Sequence, residues 1–191
     1  MNLYPVALFV HVVGALLLFA TLTLEGIALR LARRAATAQE ARSAIAIMRL
    51  NRIVGPLSAV GILVPGLYMM ATSWGWVIWI AVALAAWGLI AVVGAVNGAR
   101  LLALERKLAR ESGGLATALV AQLRDPFFPT SWTTRVGMAL GVVFLMTVKP
   151  GAAGSVITIA VAVAAGVVAS LPAWSRAQVS GQHPAPEGQR T

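Results

Sequence analysis

Five stretches of this 191-residue chain stay apolar long enough to cross a bilayer, and the polar residues gather between them. A spanning helix needs roughly 20 mostly apolar residues. The pattern places such helices at about Leu3 to Leu29, Ile53 to Thr72, Trp74 to Asn97, Trp132 to Val148 and Ser155 to Leu171. The third and fifth are apolar almost throughout, whereas Arg135 lies near the start of the fourth, which is the shortest. The expected fold is all-α: a polytopic membrane helix bundle over residues 1–175, with a four-helix core plus a fifth transmembrane helix. Residues 176–191 are polar and rich in Gly, Pro and Gln, which predicts a disordered cytoplasmic tail.

The connections carry their own signals. Thr37-Ala-Gln-Glu40 has the spacing of a capping box, opening a helix that continues through Arg49. Pro56 permits a kink where the second span enters the membrane. The third span is expected to run on through Arg110 with Leu101, Leu104 and Leu108 on one face, until Gly113-Gly114 ends it. Leu115 to Leu123 reads as a short interfacial helix stopped by Asp125-Pro126, and Phe127, Phe128 and Trp132 suit the headgroup level.

Charge sets the direction of threading. Arg30, Arg33, Arg34, Arg42, Arg49 and Arg52 occupy the first connection, and Arg100, Arg106, Lys107, Arg110, Arg124 and Arg135 the third. Arg176 and Arg190 lie in the tail, the second connection has no basic residue, and the fourth has only Lys149. Excess Lys and Arg marks the cytoplasmic side. The N-terminus is therefore expected outside and the C-terminus inside, which requires an odd number of spans. The positives follow the first apolar run, so it reads as an uncleaved anchor. The basic loops would face anionic lipids, and their membrane pattern argues against nucleic acid as a partner.

Composition narrows the chemistry. With 59% hydrophobic and 11% charged residues, the chain cannot cover itself as a soluble enzyme would. It has no Cys, two His and six acidic residues, too few for a thiolate site or an all-protein metal cage. No catalytic triad, carboxylate dyad or phosphate loop is present. Gly88, Gly94, Gly137, Gly141 and the alanine runs at 81–86 and 160–165 allow close helix packing. They also leave room for a homo-oligomer or for docking beside a larger membrane complex.

Ionisable groups at membrane depth are functional candidates by default. His11, Leu18 and Glu25 are seven apart, close to two helical turns, and share one stripe facing the bundle. His11 and Glu25 would be about 21 Å apart along the axis, so they belong to separate sites. The inner polar cluster is expected to combine Glu25, Asn97, Arg100 and Arg135. Its leading interpretation is a structural ion pair, with Arg30, Arg52, Arg100 and Arg135 all in reach of Glu25; a proton or substrate role, or the gate of a small-solute or ion transporter, is the alternative. His11 could hydrogen-bond a neighbouring helix or ligate haem iron through a neutral imidazole nitrogen. Met69 or Met146 would supply a sixth, thioether ligand. Trp74, Trp76 and Trp79 would pack on a flat ring or form an interfacial belt.

Three stretches resemble the CopD-like superfamily of small bacterial integral membrane proteins. They are Ala7-Leu-Phe-Val-His11 with Gly14, Glu25 and Arg30; Met48-Arg-Leu-Asn-Arg52-Ile with Pro56 and Gly66-Leu-Tyr68; and Arg135 with Phe144-Leu-Met-Thr-Val-Lys149-Pro150. Trp74-Gly-Trp76 is similar to the turn into that group's third helix. The likeness covers about residues 3–150. The group includes the copper-resistance D domain and, more distantly, the haem-containing protoporphyrinogen oxidase of the HemJ type; the likeness here is to a branch without an assigned activity. The resemblance implies multi-pass insertion in the bacterial inner (cytoplasmic) membrane, and haem b held by the first-helix histidine, His11. The haem-binding relatives also carry a Lys and a His on the third helix. Here the corresponding residues, Val77 to Gly88, include neither, which leaves five-coordinate haem or a His–Met pair.

Overall fold

The computed structural model describes residues 2–110 and 116–181, with side chains as far as Trp174. Among the described residues there are only helices, and five helical stretches are long and apolar enough to cross a membrane. The chain is a polytopic helical membrane bundle.

Helix α1 (Tyr4–Arg34) opens with Pro at its first turn, where a missing N–H costs nothing, and ends with Arg33 and Arg34 against its negative pole. Helix α2 (Ala38–Ala46) forms the predicted cap: the Glu40 N–H donates to Thr37 Oγ1 at 3.2 Å, and the Ala36 N–H donates to Glu40 Oε2 at 2.8 Å. A 3₁₀ turn at Ile47–Arg49 leads into α3 (Asn51–Met69), which stays helical through Pro56 and Pro65. A π-helical turn, Met70–Trp74, follows, and Gly75 takes φ 67°, a left-handed conformation that glycine adopts without strain.

Helix α4 (Ile78–Leu108) therefore starts after the expected Trp74, because Trp74 closes the π turn and Gly75 breaks the helix. Helix α5 (Thr117–Arg124) is the short amphipathic piece. Helix α6 (Phe127–Val148) starts five residues before the expected Trp132. The Asp125 carboxylate, one residue before the N-cap Pro126, accepts from the Phe127 N–H at 2.8 Å and so satisfies the first free donor of that early start. Helix α7 (Ala152–Gly181) runs past the expected Leu171 and takes in the first residues of the stretch read as a tail. Gly113-Gly114 and residues 182–191 lie outside the described residues.

Two glycine-mediated pairs organise the bundle. A Cβ on Gly14 of α1 would come within 2.7 Å of Gly61 backbone on α3, and the buried Ser58 hydroxyl donates to the Gly14 carbonyl at 3.0 Å. On the other side, a Cβ on Gly166 of α7 would sit 2.6 Å from Thr134 Cα on α6, and Gly137 abuts the Ala162 carbonyl. Without a hydrophobic force between helices in lipid, such close approach supplies the packing energy. Helix α4 seats on α6, while α3 and α4 make no substantial contact. Ile53, Leu57, Val60 and Val64 form an exposed stripe on α3 at helical spacing, the face a lipid tail covers.

At the arginine-rich end, Ala38, Ala41 and Ile45 pack with Leu104, Leu108, Leu119 and Leu123. This small core ties α2 and α5 to the extension of α4 and buries the leucine face predicted for it.

Candidate functional site

The gap between α3 and α4 leaves two cavities, one above the other, each with one end of the His11–Glu25 stripe on its wall. Leu18, midway along that stripe, lines both.

The His11 cavity has a volume of about 650 Å³, within the range of small-molecule and cofactor sites. Its wall brings together His11, Met69 on α3 and Met146 on α6, the three residues singled out as ligands. Trp74, Trp79 and Trp87 line it, with Lys149 at its end. Trp76 stays largely exposed, as an interfacial residue would. Trp74 and Trp79 meet edge to face at 5.9 Å, and Lys149, held at φ 51°, sets its ammonium 4.2 Å from the Trp74 ring centre.

The histidine is oriented by backbone. His11 Nδ1 lies 2.8 Å from the Ile62 carbonyl oxygen. A carbonyl only accepts, so Nδ1 carries a hydrogen, and in a neutral ring that leaves the lone pair on Nε2. A Cβ on Gly66 would stand 3.2 Å from the ring, so glycine at that position leaves the imidazole its seat.

The Glu25 cavity, about 480 Å³, has a different character. Glu25 and Arg135 are each 5% exposed and form an ion pair through Oε1 and Nη2. Asn97, 1% exposed, donates from Nδ2 to the same Oε1 at 3.0 Å. The structure thus joins Glu25, Asn97 and Arg135 but leaves Arg100 out. Arg100 projects from α4 three residues beyond Asn97 and lies over the Phe127 ring, 4.0 Å from its centre. Of the other arginines in reach of Glu25, Arg30 sits 5.7 Å over Trp132 and Arg52 pairs elsewhere.

Some of this set carried no distinct sequence signal. Glu105 on α4 clasps Arg49 at 3.0 Å and Arg52 at 2.6 Å at the cavity mouth. Asn51 Nδ2 donates to the Thr21 carbonyl at 2.9 Å. Trp132 Nε1 donates to the Leu22 carbonyl at 2.6 Å, its ring against Gly26, and Phe128 is buried with Leu29 and Leu101. Both aromatics pack against the bundle, Trp132 in the slot that Gly26 opens on α1. An acid amid a basic connection was the one available hint for Glu105.

Among the described residues, no group of three or more His, Asp or Glu side chains comes together. Comparison with protein-family models, curated proteins and solved structures finds no match to this chain.

Proposed function

We propose that the His11 cavity binds b-type haem, with His11 Nε2 as axial ligand to the iron. The carrying observation is the Ile62 carbonyl, which holds the proton on Nδ1 and leaves Nε2 available on the wall of a roomy, mainly apolar cavity. Such a second-shell hydrogen bond is the usual way a ligating histidine is oriented and made more basic. Met69 and Met146 are the thioethers available for a second axial position, and the tryptophans offer flat apolar surface to a macrocycle. The Lys149 ammonium provides a counter-charge for acidic ring substituents. Haem so bound would supply one-electron chemistry, its potential raised by a Met ligand. The CopD-like likeness around His11 supports the same reading.

We also read the arginine-rich end as cytoplasmic, with the chain in a bacterial inner membrane and anionic lipids against its basic connections. The charge asymmetry supports this.

The test is an absorption spectrum of protein purified after expression with supplemented haem. The wild type should show a Soret band, and His11→Ala should lose it while retaining its helical circular dichroism. A colourless wild type removes the proposal.

A further inference from the structure

The ion pair leaves part of the Glu25 cavity unexplained. Arg135 uses only Nη2 on Glu25, and its buried Nε has no partner. Gly94 lines the cavity beside Nη1: a Cβ there would come within 3.0 Å of that nitrogen. Asn51, on the α3 side of the cavity, has a buried Oδ1 without a donor. Buried polar atoms left bare cost about 1–3 kcal/mol each. Neither atom is open to the cavity; the charged groups that water would meet on its lining are Glu25, Arg52, Glu105 and Arg135, with about 30 Å³ of room needed per molecule.

The cavity's shape gives water a route. It runs from Glu25 and Arg135 to Arg52 and Glu105, and the Arg52 side chain is 52% exposed. The cavity therefore reaches solvent at the arginine-rich end. At its other end, Leu18, Trp87 and Ile90 border both cavities as an apolar septum.

We propose that the Glu25 cavity is a water-filled inlet through which protons from the arginine-rich face reach the Glu25 carboxylate, with the Leu18–Trp87–Ile90 septum as its blind end. An arriving proton leaves a cavity water and forms an O–H bond on Glu25, while Arg135 keeps its own charge. The groups on that carboxylate are Arg135 from α6 and Asn97 from α4, while Glu105 from α4, with Arg52 from α3 and Arg49 from the 3₁₀ turn, stands at the cavity mouth. Arg30, on Glu25's own helix, is turned to Trp132. This inference goes beyond the haem reading and does not depend on it.

The chain has no Cys, so single cysteines are clean probes. Ala59 lines the cavity and is half-buried, whereas its neighbour Val60, on the lipid-facing stripe, is 59% exposed and lies off the cavity wall. In lipid nanodiscs, a charged methanethiosulfonate should label Ala59→Cys at least about tenfold faster than Val60→Cys, because ions partition poorly into hydrocarbon. Equal rates, with both sites reacting only with an apolar maleimide, would mean that lipid fills the cavity and would overturn the proposal. A second arm reads the proton. Infrared difference spectra on acidification should show a protonated-carboxyl band that Glu25→Gln lacks. Identical spectra from the two proteins would equally overturn the proposal. Neither arm involves haem, so failure here is separable from failure at His11.

Discussion

The two cavities occupy one cleft and share a septum, yet they treat polarity in opposite ways. In the His11 cavity, the imidazole is aimed by a hydrogen bond at Nδ1, and Nε2, on the other side of the ring, is left uncommitted. In the Glu25 cavity, the carboxylate is held from two helices at once, by Asn97 and Arg135. Burial of an ion in lipid demands a partner, whereas a neutral imidazole tolerates an apolar wall. The first arrangement is suited to accept a ligand, and the second to hold α1, α4 and α6 in register while touching water.

The comparison can be broken most severely at the ion pair. Glu25→Ala should destabilise the bundle by about 3–5 kcal/mol, since it strands a buried guanidinium. Removing both charges in Glu25→Leu/Arg135→Leu should recover much of that loss, as read by thermal unfolding in detergent. A single mutant as stable as the wild type would mean that the charge is not enclosed. Next comes the α1–α3 seam, which walls both cavities. Gly14→Val should cost about 1–3 kcal/mol by overpacking against the Gly61 backbone. Gly88→Ala, where a Cβ meets nothing within 4 Å, should instead be neutral or stabilising by up to about 1 kcal/mol.

At His11 the expected cost is smaller. His11→Ala removes one neutral hydrogen bond, worth about 1 kcal/mol, so its main effect falls on ligand binding. Nitrogen-15 spectra of histidine-labelled protein should report a proton on Nδ1 of His11, and a proton on Nε2 would contradict the orientation proposed for it. The smallest effect belongs to the mouth. Arg49 and Arg52 are 67% and 52% exposed, so Glu105→Gln should cost at most about 1 kcal/mol and less at high salt.

Much of the architecture is legible in apolar run length, because an unbroken apolar run of about 20 residues satisfies its own backbone within lipid only as a helix. Boundaries are less so. Arg135 interrupts the apolar pattern of the fourth span and shortens its apparent length, although a partner on α1 makes that charge tolerable. Asp125-Pro126 reads as the stop of one helix, yet the Asp125 carboxylate also starts the next. The stripe of His11, Leu18 and Glu25 follows from helical geometry and does face the two cavities. Which arginine meets Glu25 does not follow, because four candidates lie at similar depth and only the rotation of α6 on α1 distinguishes them. The tautomer of His11 depends on a carbonyl 51 residues away on another helix, beyond any local pattern.

The most direct test of the contrast is a haem titration, followed by absorbance, of the wild type, His11→Ala and Glu25→Gln. The account predicts that wild type and Glu25→Gln saturate at one haem per chain with the same Soret band, and that His11→Ala takes up none specifically. Equal uptake by all three, or loss only in Glu25→Gln, would contradict it.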